Sequence, residues 1–104
     1  MTENDIYMSI HSMCRNMPSL NKIIYILGTK KIPLSIRDIS TEIKEDADRK
    51  TLYDRVRSFI VKFSSMFIKS GKKREYKYTL SSVGKLRFEK IENIYDFETD
   101  TLLE

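Results

Sequence analysis

The chain is predicted to be mainly α with one small β-hairpin, an α+β protein, on three observations read along its 104 residues. Apolar residues recur at helical spacing through most of the first 63 positions. Serine and aspartate stand where helices would start. After Ser64-Ser65 the period changes from three-to-four to two, as a half-buried strand requires. A hydrophobic content of 40% with 33% charged residues supports one core and argues against wholesale disorder. The length suits a single domain over 1–97, with an acidic tail at 98–104 that is expected to fray.

An N-terminal helix is expected over 1–18, because Ile6, Ile10, Met13, Cys14 and Met17 share one face and Pro18 cannot continue the hydrogen-bond ladder. Ser19 is the expected N-cap of a second helix with Leu20, Ile23, Ile24 and Leu27 on its inner face, and Gly28 the left-handed residue that closes it. Lys30-Lys31-Ile32-Pro33-Leu34 is short and broken by proline, which leaves a loop or a tiny edge strand. Ser35 opens an S-x-x-D capping box with Asp38, and Ile36, Ile39 and Ile43 follow in a helix that should end near Lys44 or Glu45. Asp48 then caps a helix whose apolar face is Leu52, Val56, Phe59, Ile60 and Phe63. Two helices joined by so short a link are a helix-turn-helix candidate.

The hairpin runs from Met66-Phe67-Ile68 through Gly71-Lys72-Lys73-Arg74 to a strand in which Tyr76, Tyr78 and Leu80 alternate with Lys77 and Thr79. Its tip is basic. Ser81 or Ser82 can cap a last helix over 81–97 carrying Val83, Leu86, Phe88, Ile91, Ile94 and Tyr95.

The formal charge of +4 conceals a strong segregation. Residues 49–77 hold ten Lys/Arg against two Asp/Glu, a net +8, whereas 1–48 hold six against seven (−1) and 78–104 three against six (−3). A segment with that excess can neutralise several phosphates and release their counterions, so nucleic acid is the expected partner.

The order of elements, and above all the run Tyr76-Lys77-Tyr78-Thr79-Leu80-Ser81-Ser82-Val83-Gly84-Lys85-Leu86, resembles the winged helix-turn-helix domains of small archaeal, bacterial, viral or plasmid transcription regulators. In that family an aromatic strand, Leu-Ser/Thr, two residues and Gly-Lys mark the passage from the wing into the final helix. The resemblance spans about Ser19 to Ile91. It implies that the helix over 49–63 enters the major groove, the groove wide enough for a helix and distinctive at each base pair, and that the wing over 70–76 meets the backbone or minor groove. With the apolar positions turned to the core, Arg49, Lys50, Tyr53, Asp54 and Arg57 lie on the opposite face. Arg49, Lys50, Thr51, Tyr53 and Arg57 are therefore the expected DNA contacts on the helix, and Lys72, Lys73 and Arg74 those on the wing. Apolar surface on Ile6, Ile10, Met13, Ile91, Ile94 and Tyr95 exceeds what a minimal domain needs and is the expected homodimer interface.

Other functions are disfavoured. No apolar run approaches the roughly 20 residues of a membrane span. Met1-Thr2-Glu3-Asn4-Asp5 is acidic where a secretory signal would be basic, so the cytoplasm is the expected location. Cys14 and His11, each the single residue of its type, cannot fill a four-ligand zinc site. With no Gly-rich phosphate loop and no metal-ligand cluster, neither a cofactor nor an enzymatic activity is expected. The alternatives to a homodimeric regulator of double-stranded DNA are a winged-helix subunit in a protein assembly and a replicon partition-site or architectural DNA-binding protein.

Overall fold

A computed structural model describes residues 18–43, 45–99 and 101–102. The expected N-terminal helix, with His11 and Cys14, lies outside these residues. Among the described residues the chain forms α1 (Pro18–Lys30), α2 (Ile36–Glu42), α3 (Arg49–Lys62), a 3-10 turn (Ser64–Met66), β1 (Phe67–Ser70), β2 (Lys77–Leu80), α4 (Ser82–Ile91), β3 (Tyr95–Asp96) and β4 (Thr101–Leu102). It is a mainly helical α+β fold with a small antiparallel hairpin, an order compatible with a winged helix.

Pro18 is the first residue of α1, where the first turn of a helix has no use for its missing N–H. Ser19 consequently lies inside the helix and is not its cap. The left-handed residue after α1 is Lys31, with φ 59°, not Gly28. Gly28 sits within the helix, and a Cβ there would overlap the ring of Phe88. The glycine thus lets α4 close onto α1. The same pair of helices shares a buried polar contact: Arg87, fully buried, donates from Nε (3.3 Å) and Nη2 (2.9 Å) to Asn21 Oδ1. A guanidinium taken out of water requires such acceptors, since an unsatisfied buried charge is costly.

The caps of α2 and α3 are those read from the sequence. Ser35 and Asp38 form a reciprocal capping box, with Asp38 N–H donating to Ser35 Oγ (3.1 Å) and Ser35 N–H to Asp38 Oδ2 (3.2 Å). The helix stops at Glu42, short of Lys44, because Ile43 turns extended and buries its side chain among Leu20, Ile39 and their neighbours in the core cluster. Leu52, Val56 and Ile60 seat α3, and Phe59 and Phe63 stack on each other at 6.2 Å along the margin.

The hairpin pairs Phe67 with Leu80 through Ser70 with Lys77. Tyr78 and Leu80 face the core, Lys77 faces solvent and Tyr76 is half-buried, which is the alternation expected. Leu34 adds one residue of edge strand, exchanging backbone hydrogen bonds with Tyr78 at 3.1 and 2.8 Å. The hairpin is thereby tied to the segment between α1 and α2.

The C-terminal segment departs from expectation. The last helix ends at Ile91 instead of reaching 97, and Tyr95–Asp96 pairs with Thr101–Leu102, so the tail is partly ordered as a second hairpin. Two forces break the helix. Tyr95 and Phe97 fold back onto Tyr25, each with ring centroids 5.5 Å from it. Asp96 Oδ1 accepts the N–H groups of Glu98 (3.0 Å) and Thr99 (3.4 Å), an Asx turn that competes with helical bonding. Ile91 (2% exposed) and Tyr95 (7%) are accordingly part of the chain's own core and not of an open dimer surface, and Ile94 is half-covered. Ile6, Ile10 and Met13 lie outside the described residues.

Gly84 packs where α4 begins, against the 3-10 turn, and a Cβ there would overlap the Met66 carbonyl oxygen and press on Leu80 at 3.1 Å. Alanine favours a helix interior over glycine by up to about 1 kcal/mol, yet overpacking against backbone costs about 1–3 kcal/mol. Gly84→Ala is therefore expected to lower stability, read as a lower urea midpoint with an unchanged denaturant slope. A midpoint at or above wild type would contradict the close approach.

Candidate functional site

The basic segment is built on α3 and the β1–β2 hairpin. Asp48 starts the helix by accepting the Thr51 N–H at 2.7 Å, and Lys62 in the last turn complements the carbonyl end of the helix dipole. Once Leu52, Val56 and Ile60 are buried, the helical period leaves Arg49, Lys50, Thr51, Tyr53, Asp54 and Arg57 exposed, as the sequence pattern requires.

The acidic turn before α3 is absorbed by structure. Glu45 accepts Arg55 Nη1 at 2.9 Å on one oxygen and lies 3.5 Å from the buried Lys22 ammonium on the other, joining α1 to α3. Asp48 is the cap. These two carboxylates are thus committed to contacts within the fold, although both residues are exposed. By contrast, Arg49, Lys50, Arg57, Lys72, Lys73 and Arg74 form no ion pair among the described residues.

Of these exposed cations, Arg49, Lys50, Arg57 and Arg74 line two clefts that share Tyr53. The first, about 360 Å³, lies between α2 and α3 and is lined by Arg37, Thr41, Arg49, Lys50 and Tyr53 among others. The second, about 390 Å³, lies between α3 and the hairpin and is lined by Tyr53, Arg57, Lys69, Arg74 and Tyr76 with apolar residues at its floor. Tyr53 belongs to both, so a basic surface runs from α2 across α3 to the hairpin.

The sequence places Arg74 with Lys72 and Lys73 at the tip. The backbone separates them: Gly71 (φ 92°) and Arg74 (φ 83°) are both left-handed, and Arg74 lines the cleft with Arg57, whereas Lys72 and Lys73 line neither cleft. Three further residues are not evident from the sequence pattern. Arg37 precedes the basic segment in the sequence and enters the site only because α2 packs on α3. Lys69 is on the exposed side of β1, and its ammonium sits 3.9 Å from the ring centroid of Tyr76, a cation–π contact set by cross-strand proximity. Tyr76, placed with the core by its alternation, lines the cleft as the platform for that ammonium.

This geometry suits an extended polyanion. Separate cations at successive positions along a surface match a repeating charge, and an arginine fork can meet a phosphate or a guanine edge with two parallel hydrogen bonds. Comparisons of the chain with protein-family models, with curated proteins and with solved structures return no match, so the functional reading rests on the geometry of the site. Among the described residues there is no cluster of three or more metal-ligating side chains, and no helix is long and apolar enough to cross a membrane.

The Thr51 backbone N–H, bonded to Asp48, holds the Asp48 carboxyl below its ordinary value. A depressed folded-state value means that this cap contributes in full above the unfolded value of about 3.9 and is lost as pH falls through the lower folded value. Wild type should therefore exceed Asp48→Ala in urea midpoint at neutral pH, and the gap should narrow below about pH 4. A gap that stays constant down to pH 2 would refute the cap as the origin of the difference.

Proposed function

We propose that the chain is a winged helix-turn-helix protein that binds double-stranded DNA as a homodimeric regulator, with α3 in the major groove and the β1–β2 hairpin on the flanking backbone or minor groove. The observation that carries this reading is the pair of adjoining clefts joined at Tyr53, which bring Arg49, Lys50 and Arg57 of the helix onto one surface with Lys69 and Arg74 of the hairpin, with no ion pair among the described residues.

Each part has a distinct task. Arg57, near the middle of the exposed helix face, is positioned to reach base edges, where a bidentate contact to guanine is worth about 1–3 kcal/mol of discrimination. Arg37, Arg49 and Lys50, which line the first cleft, hold phosphates at the entrance to the groove, and Thr51 follows them exposed in the first turn of α3. Lys72 and Lys73 follow the backbone beyond the tip of the wing, and Arg74 and Lys69 clamp it at the cleft. A two-fold dimer would place two α3 helices on half-sites about 34 Å apart, one turn of the duplex.

The direct test is selection of bound fragments from random duplex DNA by the purified protein at near-physiological salt. Recovery of an inverted repeat supports a sequence-reading dimer, retention without a motif points to a shape-reading architectural protein, and no retention overturns the proposal in favour of a protein-binding module. Two variants separate the tasks. Lys72→Ala/Lys73→Ala/Arg74→Ala should weaken binding to every duplex and flatten the dependence of log K on log salt by about 0.9 for each phosphate that the variant no longer neutralises. An unchanged slope would remove the wing from the interface. Arg57→Ala should instead narrow the difference between the selected site and random duplex by about tenfold or more, read in competition titrations.

A further inference from the structure

On α1, the hairpin and α4 lies a third and larger cleft, about 640 Å³, whose lining includes Leu27, Ile32, Ile68, Leu80 and Phe88. Ile32 and Ile68 are 55% and 52% exposed, although side chains of their size usually bury most of their surface. The charges that complete this lining are Lys31 and Lys85, Glu89 and Glu92, two of each sign. None of the four forms an ion pair among the described residues.

We infer that this groove is the surface on which a second copy of the chain docks, with the two α4 helices antiparallel across a two-fold axis near Phe88. This deepens the homodimeric part of the function proposed above and does not depend on the DNA-binding part. An isologous interface has to be complementary to itself, which requires an apolar centre and both signs of charge placed so that rotation exchanges them. The groove meets both requirements. Lys85, Phe88 and Glu92 occupy one face of α4 at spacings of three and four, and Glu92 keeps helical backbone angles as the C-cap. At about 1.5 Å of rise per residue, Lys85 and Glu92 stand about 10 Å apart with Phe88 between them. A two-fold axis through that midpoint sets Lys85 of each copy against Glu92 of the other, and Ile32 and Ile68, which line the same groove, supply apolar surface for the pairing.

Charge selects the second copy as the occupant. The chain is net positive and its 49–77 segment carries +8, so most of the hairpin and α3 repels another copy. The groove lining is neutral in sum and carries both signs, so the same surface of a second copy can meet it without net repulsion. Pairing there leaves Arg49, Arg57 and Arg74, which line the other clefts, free for DNA.

The test is the oligomeric state of the full chain without DNA, by sedimentation equilibrium across a concentration series. Wild type should be a dimer at micromolar concentration. Lys85→Glu or Glu92→Lys alone should weaken the dimer by about tenfold or more, because the two-fold axis makes each change count twice and sets like charges together. The double variant Lys85→Glu/Glu92→Lys should restore most of the affinity, and Ile32→Glu should abolish it. All three positions are exposed, and far-UV circular dichroism with a urea midpoint verifies that each variant is folded. A monomeric wild type overturns both the dimer and this interface and leaves the groove to a different occupant. A dimer indifferent to the single charge changes, or one that the double change does not rescue, overturns this interface alone. Duplex retention by a monomeric variant such as Ile32→Glu reports separately on the DNA-binding face.

Discussion

The relation between the helix and the wing depends on one close approach, that of Gly84 to the Met66 carbonyl. Here the chain leaving α3 through the 3-10 turn meets the chain leaving the hairpin for α4, with no room for a side chain between them. Ser81 secures the same joint three ways. Its N–H donates to Met66 O at 3.0 Å, its hydroxyl donates to Ser65 O at 2.5 Å, and the hydroxyl accepts the Gly84 N–H at 3.2 Å as the cap of α4. The hairpin therefore cannot swing on α3 without breaking a helix cap. Leu34, paired to Tyr78, restrains its other edge. These contacts set the position of the hairpin against α3, and with it the two walls of the cleft between them.

The joint also accounts for the run from Leu80 to Gly84 in the sequence. Leu80 is buried, Ser81 caps, the two residues after it begin the helix with exposed side chains, and Gly84 makes the close contact. The pattern Leu-Ser-x-x-Gly is thus a set of local packing demands and carries no information about a ligand. Lys85, which follows it, is exposed at the rim of the apolar groove.

What was legible in the sequence was whatever depends on near neighbours. The capping box at Ser35, the cap at Asp48, the buried face of α3 and the alternation of Tyr76, Tyr78 and Leu80 are all set within a turn of helix or a pair of strand residues. The illegible features are contacts between residues far apart in the chain. Gly28 looks like a helix terminator because glycine usually is one, whereas its cause is the ring of Phe88, distant in the chain. Arg87 is accommodated in the core because Asn21, far from it in the chain, supplies an acceptor. Apolar spacing extends the last helix through Ile94 and Tyr95, since it cannot register that Tyr25 draws Tyr95 and Phe97 back. In the site the same division holds: Arg49, Lys50, Tyr53 and Arg57 follow from the period of one helix, but Arg37 and Lys69 join them only through packing.

The charges of this chain divide by what the fold asks of them. Glu45, Lys22 and Arg55 join α1 to α3, Asp38 and Asp48 start helices, Asp96 stops one, and Arg87 is held by Asn21 in the core. Removing any of these would disturb backbone or packing. Arg49, Lys50, Arg57, Lys72 and Lys73 do none of this; they stand exposed, without ion pairs among the described residues, in a segment of +8 whose members repel one another. Concentrated like charge opposes compaction and is not needed to seat α3 or to register the hairpin, both of which rest on buried side chains and backbone bonds. The groove on α4 presents a different residue pattern: its charges are balanced in sign, equally without ion pairs among the described residues, and arranged around apolar side chains. On the reading proposed above, a polyanion would relieve the first surface by neutralising it, and a second copy of the chain, itself of mixed charge and partly apolar there, would cover the second.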